Sequence, residues 1–197
     1  MKTENHSLKI SQKLFLFIAL FGTLTTFAQT YTLSNSDSKL TVFGTSSLHD
    51  WEVVAEQQSG SIVLDNATET PSITSLNFEV VAESLKSGKS GMDKNTYKAL
   101  NTSKFKTIQF KLTKVNAITA NGNGSYAVKS TGDLTIAGVT NSIALDFTLN
   151  VNGTTAKLNG DYSFKMTSFK IDPPKAMFGT ITTGDDLKIE FSTVLKQ

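Results

Sequence analysis

A two-residue alternation of apolar and polar side chains, repeated along most of the chain, limits what it can fold into. In LKIEFSTVL, Leu187, Ile189, Phe191, Thr193 and Leu195 share one face, and Lys188, Glu190 and Ser192 take the other. IALDFTLNV sets Ile143, Leu145, Phe147, Leu149 and Val151 against Ala144, Asp146, Thr148 and Asn150. LNFEV (76–80) and IQFKL (108–112) are shorter copies. Successive side chains of a strand point to opposite faces, so strict alternation specifies strands with one buried and one wet face, as in antiparallel sheets.

Weaker runs at 38–46, 50–57, 59–65, 125–137 and 155–166 extend the pattern. Turn chemistry separates several of them, at Ser59-Gly60, Asn121 to Gly124 and Asn152-Gly153. Pro71, Pro173 and Pro174 all fall outside the proposed strands, as a residue without an N–H should. Many short strands at this spacing predict an all-β sandwich or barrel. Within LTIAGVTNSIALDF (134–147), the interruption Gly138 to Asn141 reads as a reversal between two strands rather than as a binding loop.

One stretch breaks the rhythm. SGMDKNTYKALN (90–101) spaces Met92, Tyr97, Ala99 and Leu100 among polar residues and predicts one short helix over about 91–101. Ser90 is the expected N-cap, and Asp93 lies in the first turn, where a carboxylate meets the helix dipole favourably.

The start of the chain has a different character. Lys2, Lys9 and Lys13 precede the apolar segment Leu14 to Ala28, which is short for a membrane span of about 20 residues. A basic start, a short apolar core and small residues near Thr26 and Ala28 read as a signal peptide over 1–28, giving a domain from 29 to 197 in the periplasm or secreted. A retained membrane anchor is the alternative. The chain has no cysteine, so a lipoprotein anchor and disulfides are both excluded.

From residue 29 onward 16 lysines balance 16 carboxylates, and there is no arginine. Bidentate contacts to phosphate or guanine are therefore unavailable, and nucleic acid is not an expected partner. The lysines are unevenly placed: Lys86, Lys89, Lys94, Lys98, Lys104, Lys106, Lys111 and Lys114 face only Asp93 within their segment.

Four stretches in order resemble the YceI family: FGTSSLHDWEV (43–53), SLKSGKSGMDKNTYKALNTSKFKTIQFKL (84–112), GDLTIAGVTNSIALDF (132–147) and FKIDPPKAMFGTITTGDDLKIEF (169–191). The resemblance implies an exported, eight-stranded antiparallel lipocalin-like barrel, and some members of that family hold a polyisoprenoid in the lumen. Members often carry histidine where Ala137 stands here.

That resemblance, with the apolar content of the chain, implies an amphiphilic, isoprenoid-type lipid as ligand and no other cofactor. The candidate lumen residues are Phe43, Trp51, Phe78, Met92, Leu100 and Phe110, continuing with Leu134, Ile136, Phe147, Phe164 and Phe178. Lys94, Lys98 and His49 are the head-group candidates, and the lysines equally suit an anionic membrane surface. In DPPKAMFG (172–179), Met177 and Phe178 either turn into the cavity mouth or ride on a stiff connection.

Catalysis has little to work with. His49 is the one histidine after residue 28, and SSLHDW puts Ser47 on its face of a strand while Asp50 points away, so no serine–histidine–acid relay forms. No metal-ligand spacing is present. The sequence is also compatible with a periplasmic small-molecule enzyme or stress-response protein using His49, and with a membrane-embedded barrel. A homodimer along strand edges is compatible with the sequence and specified by nothing in it.

Overall fold

The computed structural model describes residues 28–65 and 70–197. Its strands are β1 (Ala28–Leu33), β2 (Lys39–Ser46), β3 (Trp51–Ala55), β4 (Gln58–Asp65), β5 (Ser72–Val81), β6 (Leu85–Lys86), β7 (Thr107–Gly122), β8 (Ser125–Ile136), β9 (Val139–Asn152), β10 (Thr155–Lys165), β11 (Lys175–Ala176) and β12 (Ile181–Lys196). Among the described residues there is one α-helix, α1 (Ser90–Leu100), between β6 and β7.

The strands close on themselves. β1, β4, β5, β7, β8, β9, β10 and β12 pair in that order, all antiparallel, and β12 returns to β1 through Thr32–Lys196 and Leu33–Leu195. Beyond a bend, β2, β3 and β6 continue β1, β4 and β5, and β2 pairs with β12. Eleven of the segments thus make the eight strands of one closed antiparallel barrel, of the expected lipocalin-like type, while β11 only pairs with the start of β12. Closure removes the unpaired edges that an open sheet would expose.

The bend explains why three long strands appear as pairs. It runs across neighbouring strands at Ser34–Ser38, Glu56–Gln57 and Ala82–Ser84, and side chains replace the ladder bonds lost there. The Asn35 amide donates to the Glu56 carbonyl (2.9 Å) and accepts from the Gln58 N–H (2.8 Å). The Ser84 hydroxyl accepts from the Gln57 N–H (3.1 Å), and the Ser38 hydroxyl accepts from the Val194 N–H (2.9 Å). Buried backbone groups need such partners, and these three polar residues supply them.

Three expectations shift. Ser59-Gly60 is not a turn: both lie inside β4, and the chain bends at Glu56–Gln57 instead. Gly60 is required because a Cβ there would meet the Asn77 carbonyl oxygen of β5 at 2.4 Å. The reversal in LTIAGVTNSIALDF takes only Ala137 and Gly138, with φ of 49° and 77°, so Val139 already pairs with Ile136 in β9. Positive φ at both central residues makes it a two-residue hairpin loop. Ser90 is the first residue of α1, not its cap; Lys89 takes the cap position. β1 went unread because its alternation is brief, although Tyr31 at its centre is fully buried. The proposed signal peptide lies outside the described residues except Ala28, which opens β1.

One end of the barrel is filled. Tyr31, Ile62, Leu64, Leu149 and Leu195 expose 1% or less of their surface, each contributing about 1.5–3 kcal/mol by burial. The Tyr31 hydroxyl reaches the Gly153 carbonyl (3.2 Å), which ties β1 across the turn between β9 and β10. The opposite end carries the β2–β3 loop, α1, the Ala137–Gly138 turn and the long connection 166–180.

Candidate functional site: an apolar cavity inside the barrel

Inward-facing side chains do not fill the barrel completely. A cavity of about 470 Å³ remains, within the range of small-molecule sites. It reaches the surface between the β2–β3 loop (Ser46, Leu48, His49), α1 (Gly91, Met92, Asn95) and the 174–183 segment (Pro174, Lys175, Ala176). Its walls are apolar, and Lys175 is the single charged side chain among the lining residues.

Aromatic rings form much of that wall, and glycine makes room for three of them. A Cβ on Gly44 would lie 2.2 Å from the Trp51 indole, its direct partner across β2 and β3. One on Gly132 would lie 2.3 Å from the Phe110 ring, and one on Gly160 2.7 Å from Phe191. Each ring occupies the space a side chain would take at a strand glycine, so bulky side chains enter the lumen without splaying the ladder. Trp51 is further fixed by its indole N–H, which donates to the Thr45 carbonyl (2.9 Å). Gly138 serves packing as well as the turn, since a Cβ there would strike Phe105 at 2.3 Å.

Helix α1 divides along its length. Met92, Asn95, Thr96, Ala99 and Leu100 line the cavity, whereas Lys94 and Lys98 are exposed on the opposite side. The helix is held at both ends. The Asp93 carboxylate accepts from the Ser87 hydroxyl (2.6 Å) and N–H (2.8 Å), and these bonds hold the acid below the ordinary 3.8 of an aspartate. The Tyr97 hydroxyl donates to the Glu83 carbonyl (2.8 Å) and accepts from the Lys86 ammonium, raising the lysine's pKa.

His49 stands at the mouth. Its Nδ1 donates to the Asp50 carbonyl (2.7 Å), leaving Nε2 as the free ring nitrogen. The Ser46 hydroxyl is spent within the loop, donating to the His49 carbonyl (2.7 Å) and accepting from the His49 N–H (3.1 Å). No serine–histidine relay is assembled. Among the described residues, no group of three His, Asp or Glu side chains is placed to hold a metal ion.

Most of the lumen residues expected from sequence line the cavity: Trp51, Phe78, Met92, Leu100, Phe110, Leu134, Ile136, Phe147 and Phe164. Phe43 does not. Leu40, Val42 and Gly44 hold the inward phase of β2, so Phe43 faces a shallow outer groove beside Glu190 and Lys39. Phe178 does not either, being fully exposed in the connection before β12. Lys94 and Lys98 do not line the cavity, because the turn that brings Met92 and Ala99 inward carries them out. The cavity is also lined by Ile189, Phe191 and Lys175, which are not among the lumen residues expected from sequence. The first two were legible in the β12 alternation; Lys175 had no signal of its own.

Met177, Phe178 and Gly179 all have positive φ, of 49°, 54° and 92°. Left-handed backbone costs a non-glycine residue about 1–2 kcal/mol, so two consecutive examples store strain at this rim.

A closed eight-stranded antiparallel barrel with an apolar interior cavity defines a lipocalin-like protein. The chain belongs to the YceI-like domain family, which matches residues 31–195. Among solved structures it is similar in fold to BcnA of Burkholderia cenocepacia (20% identity, 82% of this chain and 98% of that one, TM-score 0.65). It is similar also to a polyisoprenoid-binding domain from Saccharophagus degradans implicated in plant cell wall breakdown (11% identity, 84% and 97%, TM-score 0.66). The YceI protein of Campylobacter jejuni matches at 19% identity, covering 72% and 82%, with a TM-score of 0.57. No curated protein matches the chain in sequence.

Proposed function

We propose that this protein is an exported carrier that holds the apolar tail of an amphiphilic, isoprenoid-type lipid inside its barrel. The observation that carries the reading is the cavity of about 470 Å³, walled by aromatic and aliphatic side chains and open at one end. A prenyl tail along it gains about 0.8 kcal/mol per buried CH₂, and nothing in the wall demands a polar partner in return. The polyisoprenoid-binding relative supports the choice of ligand, and the basic, apolar start of the chain supports export.

Lys175, His49, Asn95 and Thr183 line the mouth, and they are the groups on which a polar or anionic head would rest. They replace Lys94 and Lys98 in that role. The carrier reading needs no catalytic residue, and the occupied hydrogen bonds of Ser46 and His49 favour it over an enzyme built on the histidine.

Native mass spectrometry of protein purified from its own source tests the reading, followed by uptake of prenyl alcohols and prenyl phosphates. A retained or acquired prenyl lipid is expected at one per barrel. A protein that comes without lipid and takes up neither probe overturns the reading. Uptake persisting in His49→Ala separates a carrier from chemistry at that side chain.

A further inference from the structure

We infer that the mouth end of the barrel docks onto an anionic lipid bilayer, with Leu48, Met177 and Phe178 as the inserting side chains. The inference rests on the lipid-carrier reading for its purpose but on separate residues for its evidence.

Four large apolar side chains are prominently exposed among the described residues: Leu48 (66%), Val81 (37%), Met177 (68%) and Phe178 (110%). Three of the four stand around the cavity mouth. Leu48 is both exposed and part of the cavity lining, so the apolar surface runs unbroken from the lumen to the outside. Scattered apolar residues on a surface need no account; a cluster ringing the opening of an apolar cavity does.

Their placement is built. β11 and the start of β12 form a small hairpin, paired at Lys175–Thr182 and Ala176–Ile181, whose tip is Met177 to Thr180. The Ser47 N–H donates to the Thr182 carbonyl (2.9 Å), and the Thr182 N–H donates to the Ser47 hydroxyl (3.1 Å). Those two bonds lock the loop bearing Leu48 to the hairpin bearing Met177 and Phe178. The tip holds its two apolar residues in left-handed backbone, a conformation that a solvated turn would satisfy better with glycine or asparagine.

Charge identifies the occupant. The connections at the mouth end (46–50, 87–106, 137–138 and 166–180), with the charged groups bonded to them or next to them (Glu83, Lys86, Lys165, Asp185 and Asp186), contain nine lysines and six carboxylates. The chain from residue 29 is neutral as a whole, so the rest of the barrel is net acidic. Lys94 and Lys98, turned away from the cavity, belong to this surface. Apolar side chains ringed by lysines fit a bilayer with anionic headgroups, where the former enter the acyl boundary and the latter meet the surface potential. A tail leaving the membrane would then pass into the cavity without crossing water.

The test is flotation of the protein purified from its own source with phosphatidylcholine vesicles, with and without phosphatidylglycerol. Met177→Asn/Phe178→Asn is the main variant, since asparagine suits the left-handed backbone and both positions are exposed. Lys94→Glu/Lys98→Glu is the charge variant. Wild type is expected to float with the anionic vesicles, and to do so less as salt is raised. The asparagine pair should lower partitioning at least tenfold with Trp51 emission unchanged, and the charge variant should remove the salt dependence. Lipid bound in the lumen is measured separately by native mass spectrometry, so failure to dock and failure to carry are read independently. Wild type that ignores anionic vesicles, or partitioning equal in the asparagine pair, overturns the inference.

Discussion

Gly44 and Trp51 sit directly opposite each other in the β2–β3 ladder, and the indole occupies the space a side chain at 44 would need. The pair places the protein's one tryptophan on the cavity wall near its mouth, where its emission reports on the site. Gly44→Val is expected to push the indole off the strand, break its bond to the Thr45 carbonyl and shift its emission to the red. Overpacking of this kind costs about 1–3 kcal/mol, readable as an earlier midpoint in urea unfolding.

Cavity volume, not wall chemistry in detail, should set lipid capacity. Ala99 lines the cavity from α1 and is only partly buried, and Ala99→Trp places a large ring in the lumen. Prenyl-lipid loading by native mass spectrometry should fall at least tenfold, with the unfolding midpoint nearly unchanged. Loading equal to wild type would show that the tail does not use this space.

Acid should loosen the helix before the barrel. The Ser87 bonds hold Asp93 below 3.8, so its folded pKa lies under its unfolded one. A depressed carboxylate contributes stability above the unfolded value and loses it as pH falls through the folded value. Wild type should therefore lose helix anchoring progressively below pH 3.8. Met92 and Trp51 pack against the same small core, so Trp51 emission follows the change. Asp93→Asn should show the loosened signal already at neutral pH and change less on acidification.

Gln58 presents the reverse case. Its side chain is 6% exposed on β4, and neither amide atom has a partner among the described residues. Burying an unpaired amide costs about 1–3 kcal/mol, so Gln58→Met, close in volume, should raise stability by about 1 kcal/mol in urea unfolding. A loss of stability instead would show that the amide is engaged in solution.

The strands were legible because a half-buried strand writes its two-sided environment directly into the sequence. The 187–195, 143–151 and 76–80 runs all fall inside observed strands, and the helix expected over 91–101 is displaced by one residue, to Ser90–Leu100. Bends were not legible, because Glu56, Gln57 and Ser84 are ordinary polar residues until neighbouring strands bring them together. Residue type alone misplaced Phe43, whereas its phase relative to Val42 and Gly44 would have put it outside. Phe178 escaped both approaches, since a loop residue has no period.

By itself the sequence determined the alternating strands, the single helix and the apolar inventory of the interior, because side-chain phase and composition are local properties. Only the tertiary structure decided that the eight strands close, that the rings leave a cavity, and which end of it opens. Closure depends on β12 meeting β1, residues far apart in the chain, and the cavity on how Trp51, Phe110 and Phe191 settle over glycines of neighbouring strands. Such contacts are set by register and shape, which no single segment encodes.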